Sequence, residues 1–288
     1  LLRPSNIMYA LKLGQSLVTI KRIGEDNDFV FTVLTSQQGG TTTPLKQFQL
    51  PMVNVGTTNF VVEWGDGAKD TITTYNAAET LHTYIEDGTY TIKIRGDYAW
   101  KFLNVGDGIK MRNIETWGGF NFKTAQVFWG SFVTSTATDF ALVSTTNFQS
   151  CFRTNTFNGV LNELDVSNVT NFQSCFFGAS VFNQPLNSWN TSSATRMDGM
   201  FRNAVAFDQD ISSWDITSVT NLNNFMAGAT LSTVNYDALL VGWEAQAPST
   251  GVTVDFGSSK YSAGGTSAVS RNELIVTYGW TITDGGGI

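Results

Sequence analysis

The sequence predicts a mainly β protein with short helices: a small β-sandwich, then an α/β solenoid of 24- and 25-residue repeats, then a C-terminal cap. Three observations predict it. Blocks beginning at Thr146, Thr170, Thr195 and Thr220 align TNFQSCF, TNFQSCF, TRMDGMF and TNLNNFM, with steps of 24, 25 and 25 residues. Further along each block, Phe157, Phe182 and Phe207 share one column, Leu161, Leu186 and Ile211 a second, and Leu164, Trp189 and Trp214 a third. Upstream, Phe60, Val62 and Trp64 alternate with Val61 and Glu63 and run into a Gly-Asp-Gly turn, as a strand entering a hairpin does.

Taken in order, residues 1–26 match neither unit and read as an N-terminal arm. It is apolar (IMYALKL, LVTI) and carries the only positively charged stretch, with Arg3, Lys12, Lys21 and Arg22. Residues 27–97 supply the sandwich, in which Tyr90, Ile92 and Ile94 alternate as a second strand. Residues 98–146, with WGGFNF and FWGSF, read as irregular first repeats. The clear repeats occupy 147–229. Each opens with Thr followed three residues later by Gln149, Gln173 or Asp198, a capping-box pattern, with Asn223 a weaker version. Apolar residues then follow at i, i+3, i+4, i+7 (Met197, Met200, Phe201, Ala204), which predicts a short helix. The second half, AFDQDISSWDITSVT at 206–220, alternates and reads as extended. One such unit cannot cover its own apolar face, so the repeats are expected to stack into one continuous core. Residues 230–288 form the cap.

FNQPLNSWNTSSAT and FDQDISSWDITSVT, flanked by MxxMFxxA-type turns, resemble the BspA-like leucine-rich repeats of bacterial surface proteins. The resemblance extends over about residues 109–288, where LSTVNYDALLVGWEAQ through YGWTITDGG is similar to the end-cap of such arrays. VEWGDG at 62–67, LHTY at 81–84 and GTYTIKIRG at 88–96 resemble the polycystic-kidney-disease (PKD) type sandwich. These resemblances imply surface display.

Composition narrows the classes. A net charge of -7 argues against nucleic acid, which leaves a basic footprint, and against anionic membranes. No run approaches the ~20 apolar residues that a spanning helix needs. His82 is the sole histidine and sits in LHTY as a structural strand residue, so no triad of the usual kind can be assembled. Phosphate-loop motifs are missing. Asp165, Asn190 and Asp215 read as turn caps. For calcium, Asp66 with Asp70 or Asp208 with Asp210 offer too few oxygens, and no DxDxDG loop occurs, so no cofactor is expected. Cys151 and Cys175 share a column and read either as buried thiols or as a cross-repeat disulfide.

What remains is recognition. Asn183, Gln184, Asp208 and Gln209 present amides and a carboxylate in register, suited to a glycan or a partner's surface. Trp100, Trp117 and Trp129 lie in the irregular stretch and read either as core or as exposed anchors. The expected function is non-enzymatic and extracellular. A phage virion decoration or fibre component comes first, docking on other virion or surface proteins through the arm and binding host-surface glycan or protein, because the chain stops directly after its cap at TDGGGI. A BspA-like bacterial adhesin is the alternative and a secreted glycan-active enzyme the third reading.

Overall fold

The computed structural model describes residues 27–39, 42–102, 106–131 and 133–288, together with one short antiparallel pair, β1 (Lys12–Leu13) and β2 (Ser16–Leu17). The rest of the expected arm, 1–26, lies outside the described residues. Among the described residues the protein is mainly β, with two α-helices and open sheets.

The N-terminal half is organised by β3 (Phe29–Leu34), whose Phe29, Phe31 and Val33 point into the core while the residues between them are only half-buried. That alternation is the period-2 pattern of a strand covered on one face. In chain order follow β4 (Gln47–Gln49), β5 (Asn59–Glu63), β6 (Lys69–Ile72), β7 (Leu81–Thr83), β8 (Thr89–Asp97), β9 (Met111–Thr116), β10 (Asn121–Phe122), β11 (Thr134–Ser135) and β12 (Leu142–Val143). Six of them make one sheet in the order β11-β9-β3-β8-β5-β6. β4 and β7 pair separately, and Phe48 of β4 packs on Phe31 with ring centroids 6.1 Å apart. Between β5 and β6 the Gly-Asp-Gly turn is formed as expected. Gly65 takes φ +87° with Thr91 O 2.5 Å from where a Cβ would sit, so no other residue fits.

The sheet does not end at residue 97. β9 pairs antiparallel with β3 and parallel with β11, so one strand belongs both to the sandwich-like sheet and to the first stacked segment. The segment 98–146 continues that stacking, with Asn113 opposite Thr134 and Asn121 opposite Leu142. Buried apolar residues from Phe29 to Trp280 form a single connected core.

Through the repeats, the short helices expected at each block do not form. Among the described residues, α-helix occurs only as α1 (Thr233–Glu244) and α2 (Thr266–Val276). The repeat openings are chains of turns, for a backbone reason. Ser150, Ser174, Gly199 and Asn224 have φ of 54°, 53°, 61° and 55°, and four residues on Thr154, Gly178, Asn203 and Gly228 have 48°, 67°, 59° and 76°. Left-handed residues interrupt a right-handed helix. They also turn alternate N–H groups outward along the stack. Phe148, Ser150, Phe152 and Thr154 donate to carbonyls of the next repeat at 2.7–3.0 Å, while Cys151 and Arg153 donate within their own at 3.3 and 3.4 Å.

The expected capping boxes are likewise replaced. Asn147, Asn171 and Asn221 close the turns, each accepting from the N–H two residues on. The threonines reach across instead: Thr170, Thr195 and Thr220 Oγ1 donate to the threonine carbonyl of the preceding repeat at 3.2, 3.2 and 3.4 Å. Phe152, Phe176 and Phe201 stack at 5.4 Å steps with interplanar angles of 7° and 3°, and Trp189 lies on Trp214 at 6.1 Å. Parallel aromatic pairs of this kind add ~0.5–1.5 kcal/mol each beyond the area they bury. The step from the Phe152 column to the Phe157 column is five residues, and six in the next two repeats, so the extra residue of the 25-residue units lies at 178–182 and 203–207.

Beyond the repeats, Ser232 caps α1 by accepting from the Asn235 N–H, and Tyr236, Leu239, Leu240 and Trp243 bury its core face. β13 (Thr253–Asp255) and β14 (Thr281–Thr283) pair in parallel and extend the stack to the C-terminal segment. α2 packs against α1.

Candidate functional site

The residues expected to face a ligand also join repeats. Asn158 Oδ1 accepts from the Asn183 N–H (2.9 Å) and from Gln184 Nε2 (3.3 Å). Asn183 Oδ1 in turn accepts from the Asp208 N–H (2.9 Å) and from Gln209 Nε2 (2.8 Å). Asp208 Oδ1 accepts from Ser232 N, Ser232 Oγ and Asn235 Nδ2 at 2.8–3.0 Å. The four side chains are half-buried and form an internal ladder. The reason is backbone accounting: the segment after each Phe column has no strand partner, so its N–H groups need side-chain acceptors.

Two of the three tryptophans take the core reading. Trp117 is fully buried and Trp100 is 2 % exposed, packed edge-on against Phe29, Phe31 and Phe102, so neither can anchor a ligand. Trp129 is different. It is half-exposed, with the Arg153 guanidinium 4.9 Å from its ring centroid.

From Trp129 a column runs along the outside of the repeats. Arg153 lies 4.3 Å from the Phe177 ring, and Arg202 lies 5.5 Å from the same ring. Trp129, Arg153, Phe177 and Arg202 are spaced 24, 24 and 25 residues apart, so each occupies the same position in successive repeats, one residue before the second left-handed residue. The N–H groups of Arg153, Phe177 and Arg202 donate within their own repeats, to Ser150, Ser174 and Gly199 at 3.1–3.4 Å, and the side chains reach the surface. Beside them Arg196 and Asp198 form an ion pair at 2.5 Å, and Gln173 Nε2 donates to the other Asp198 oxygen at 2.9 Å. The Asp198 carboxylate raises the Arg196 guanidinium above its ordinary value, outweighing slight burial. An open groove is lined by Arg153, Phe177 and Arg202, together with Ser174, Asn223 and Asn224. The sequence carries a signal for this column, an alternation of aromatic and cation at the repeat period, that the reading of the apolar columns passed over.

Other groups singled out in the sequence have structural partners. His82 stacks on Trp64 at 4.7 Å and its Nε2 lies 2.8 Å from Asp66 Oδ2. Burial raises the Asp66 carboxyl, but His82 and the Ala68 N–H more than offset it and leave it below the ordinary carboxylate range. Asp70 accepts from Trp64 Nε1 at 2.8 Å. Asp165, Asn190 and Asp215 each accept from the N–H two residues ahead, at 2.9–3.1 Å. Among the described residues no three His, Cys, Asp or Glu side chains group as metal ligands. Cys151 and Cys175 are buried and unlinked. Burial pushes the Cys151 thiol up to about 12 and that of Cys175 well above its usual value.

No curated protein and no solved structure matches this chain. Residues 121–239, the span that contains the whole Trp129–Arg202 column, are similar to a family described as Mycoplasma protein of unknown function, DUF285.

Proposed function

We propose that the chain is a non-enzymatic, surface-displayed recognition or structural protein, in which a PKD-like sandwich carries a BspA-like, leucine-rich-repeat-like solenoid. The observation that carries this reading is the division of labour across each repeat. Inward columns pack, the Asn–Asp ladder joins repeat to repeat, and the Arg–aromatic column sets large aromatic and cationic side chains at the surface at the repeat period. A surface built that way suits holding an extended partner.

The expected setting is a phage virion, with residues 1–26 docking a decoration or fibre component onto the particle. The similarity of 121–239 to a family described from Mycoplasma favours the alternative, an adhesin on a bacterial cell. Antibodies against the repeats, applied to intact cells and to purified particles from the source, decide between them. Labelling of intact cells supports the adhesin, and co-purification with capsid or tail proteins the virion component. Detection only after cell lysis, with no particle association, refutes surface display in both forms.

A further inference from the structure

The Trp129–Arg153–Phe177–Arg202 column carries one step further, resting on the recognition reading above: it names the ligand. We propose that the groove along this column binds an acidic polysaccharide, a linear sugar polymer bearing carboxylate or sulfate groups. The column holds its cations in a particular state. A guanidinium laid on an aromatic ring uses its flat face for the contact and keeps its in-plane N–H fork at the edge, the geometry that grips carboxylate or sulfate in bidentate fashion. Among the described residues, neither the Arg153 nor the Arg202 guanidinium donates a hydrogen bond to a protein acceptor or pairs with a carboxylate, so both forks are uncommitted. Stacking also fixes these long side chains in advance, which lowers the entropy lost on binding.

The surroundings are selective. From residue 124 onward the chain has twelve acidic side chains and five basic ones, of which Arg153, Arg196 and Arg202 gather at this face. The one carboxylate in the groove, Asp198, is already paired with Arg196 and Gln173. Arg153 and Arg202 stand two repeats apart, roughly 10 Å at the spacing of hydrogen-bonded strands. Ser174, Asn223 and Asn224 between and beside them offer hydroxyl and amide groups of the kind that pair with sugar hydroxyls. A peptide strand would need free backbone groups, yet Ser174 and Gly178 N–H are spent on the next repeat at 2.9 and 2.8 Å. Single-stranded nucleic acid would need an open ring for its bases, and Phe177 is covered by Arg153 and Arg202.

The test is affinity electrophoresis of the purified full chain in gels containing dextran, dextran sulfate or polygalacturonate. Wild type should be retarded in at least one acidic gel and not by neutral dextran, the responding gel identifying sulfate or carboxylate as the acid recognised. Retardation should weaken as salt is raised. An Arg153→Gln/Arg202→Gln double variant, with its melting midpoint checked, should bind at least tenfold more weakly, and Arg153→Lys/Arg202→Lys should also lose affinity because it keeps the charge without the fork. Absence of retardation in both acidic gels, or equal binding by the glutamine variant, overturns the proposal. Attachment to cells bearing acidic surface polysaccharide keeps the two readings apart. Equal attachment of wild type and glutamine variant overturns the groove while leaving recognition intact; a wild type that binds the gel yet attaches to no cell supports the groove and counts against adhesion.

Discussion

At the residue scale, neighbouring side chains on one surface have very different roles. Asn183 Oδ1 serves two donors, the Asp208 N–H and Gln209 Nε2, whereas Gln184 makes one long contact at 3.3 Å. Asn183→Ala strands the Asp208 N–H, while Gln209 Nε2 keeps the Asn183 carbonyl at 3.1 Å, and should cost about 1–3 kcal/mol. Gln184→Ala should stay within ~0.5 kcal/mol. Phe201, fully buried between the rings of Phe176 and Phe207, should lose ~3–5 kcal/mol on truncation to Ala. Urea melts of the three variants give the ordering Phe201→Ala, Asn183→Ala, Gln184→Ala, and any other ordering counts against the ladder. The thiols allow a separate check. With Cys151 raised to about 12 by burial and Cys175 well above its usual value, almost no thiolate exists at pH 8, so native protein should take up no alkylating reagent and unfolded protein two equivalents. Labelling that proceeds without unfolding would contradict the burial. Legibility at this scale was uneven. Apolar columns announce themselves because like stacks on like, but whether Asn183 faces solvent or the next repeat depends on where unpaired N–H groups fall, which composition does not display.

At the element scale, the repeat openings show why an i, i+3, i+4 pattern is ambiguous. A chain of turns whose left-handed residues recur every four positions returns side chains to one face as a helical turn does, so Met197, Met200, Phe201 and Ala204 are all buried without a helix. Only φ separates the two. The discriminating residues were Ser150, Ser174, Gly199 and Asn224, small or polar types that tolerate or favour positive φ. Thr154 is the exception. It is β-branched and exposed at φ 48°, and its Cγ2 is the nearest neighbour to Gly178. Thr154→Gly relieves that strain, costs some chain entropy, and should raise stability by a net ~0.5–1 kcal/mol. Chemical denaturation would show it as a higher midpoint with unchanged slope, and a lower midpoint would argue against the left-handed assignment. The strand reading of 60–64 and 90–94 held because period-2 alternation has no such double.

At the scale of the whole molecule, the two halves are joined by β9, which the sequence hid because 111–116, inside the segment read as irregular first repeats, carries no sign that it also pairs with the sandwich strand β3. The far end is secured differently. Asp284, nearly buried, accepts from Arg271 Nε (2.7 Å), Tyr236 Oη (2.7 Å) and the Gly286 N–H (3.0 Å), tying β14 to α1 and α2. Burial alone would raise this carboxyl, but these partners outweigh it and hold it below the ordinary range. A carboxyl lower in the folded than in the unfolded chain gives stability that is fully present above the unfolded value and lost as pH falls through the folded one. The cap should therefore weaken from about pH 4 downward. Asp284→Asn should lower the melting midpoint at neutral pH and flatten its fall below pH 4; parallel acid limbs for the two proteins would refute the assignment. One further consequence lies in the difference between 24- and 25-residue units. The additional residue is absorbed at 178–182 and 203–207, where Ser180, Val181 and Val205 are exposed, while the columns on either side keep their register. Those loops are where the chain already accepts a change of length. They are the natural points for an epitope tag or a grafted module, which would then project from the stack once per repeat without disturbing it.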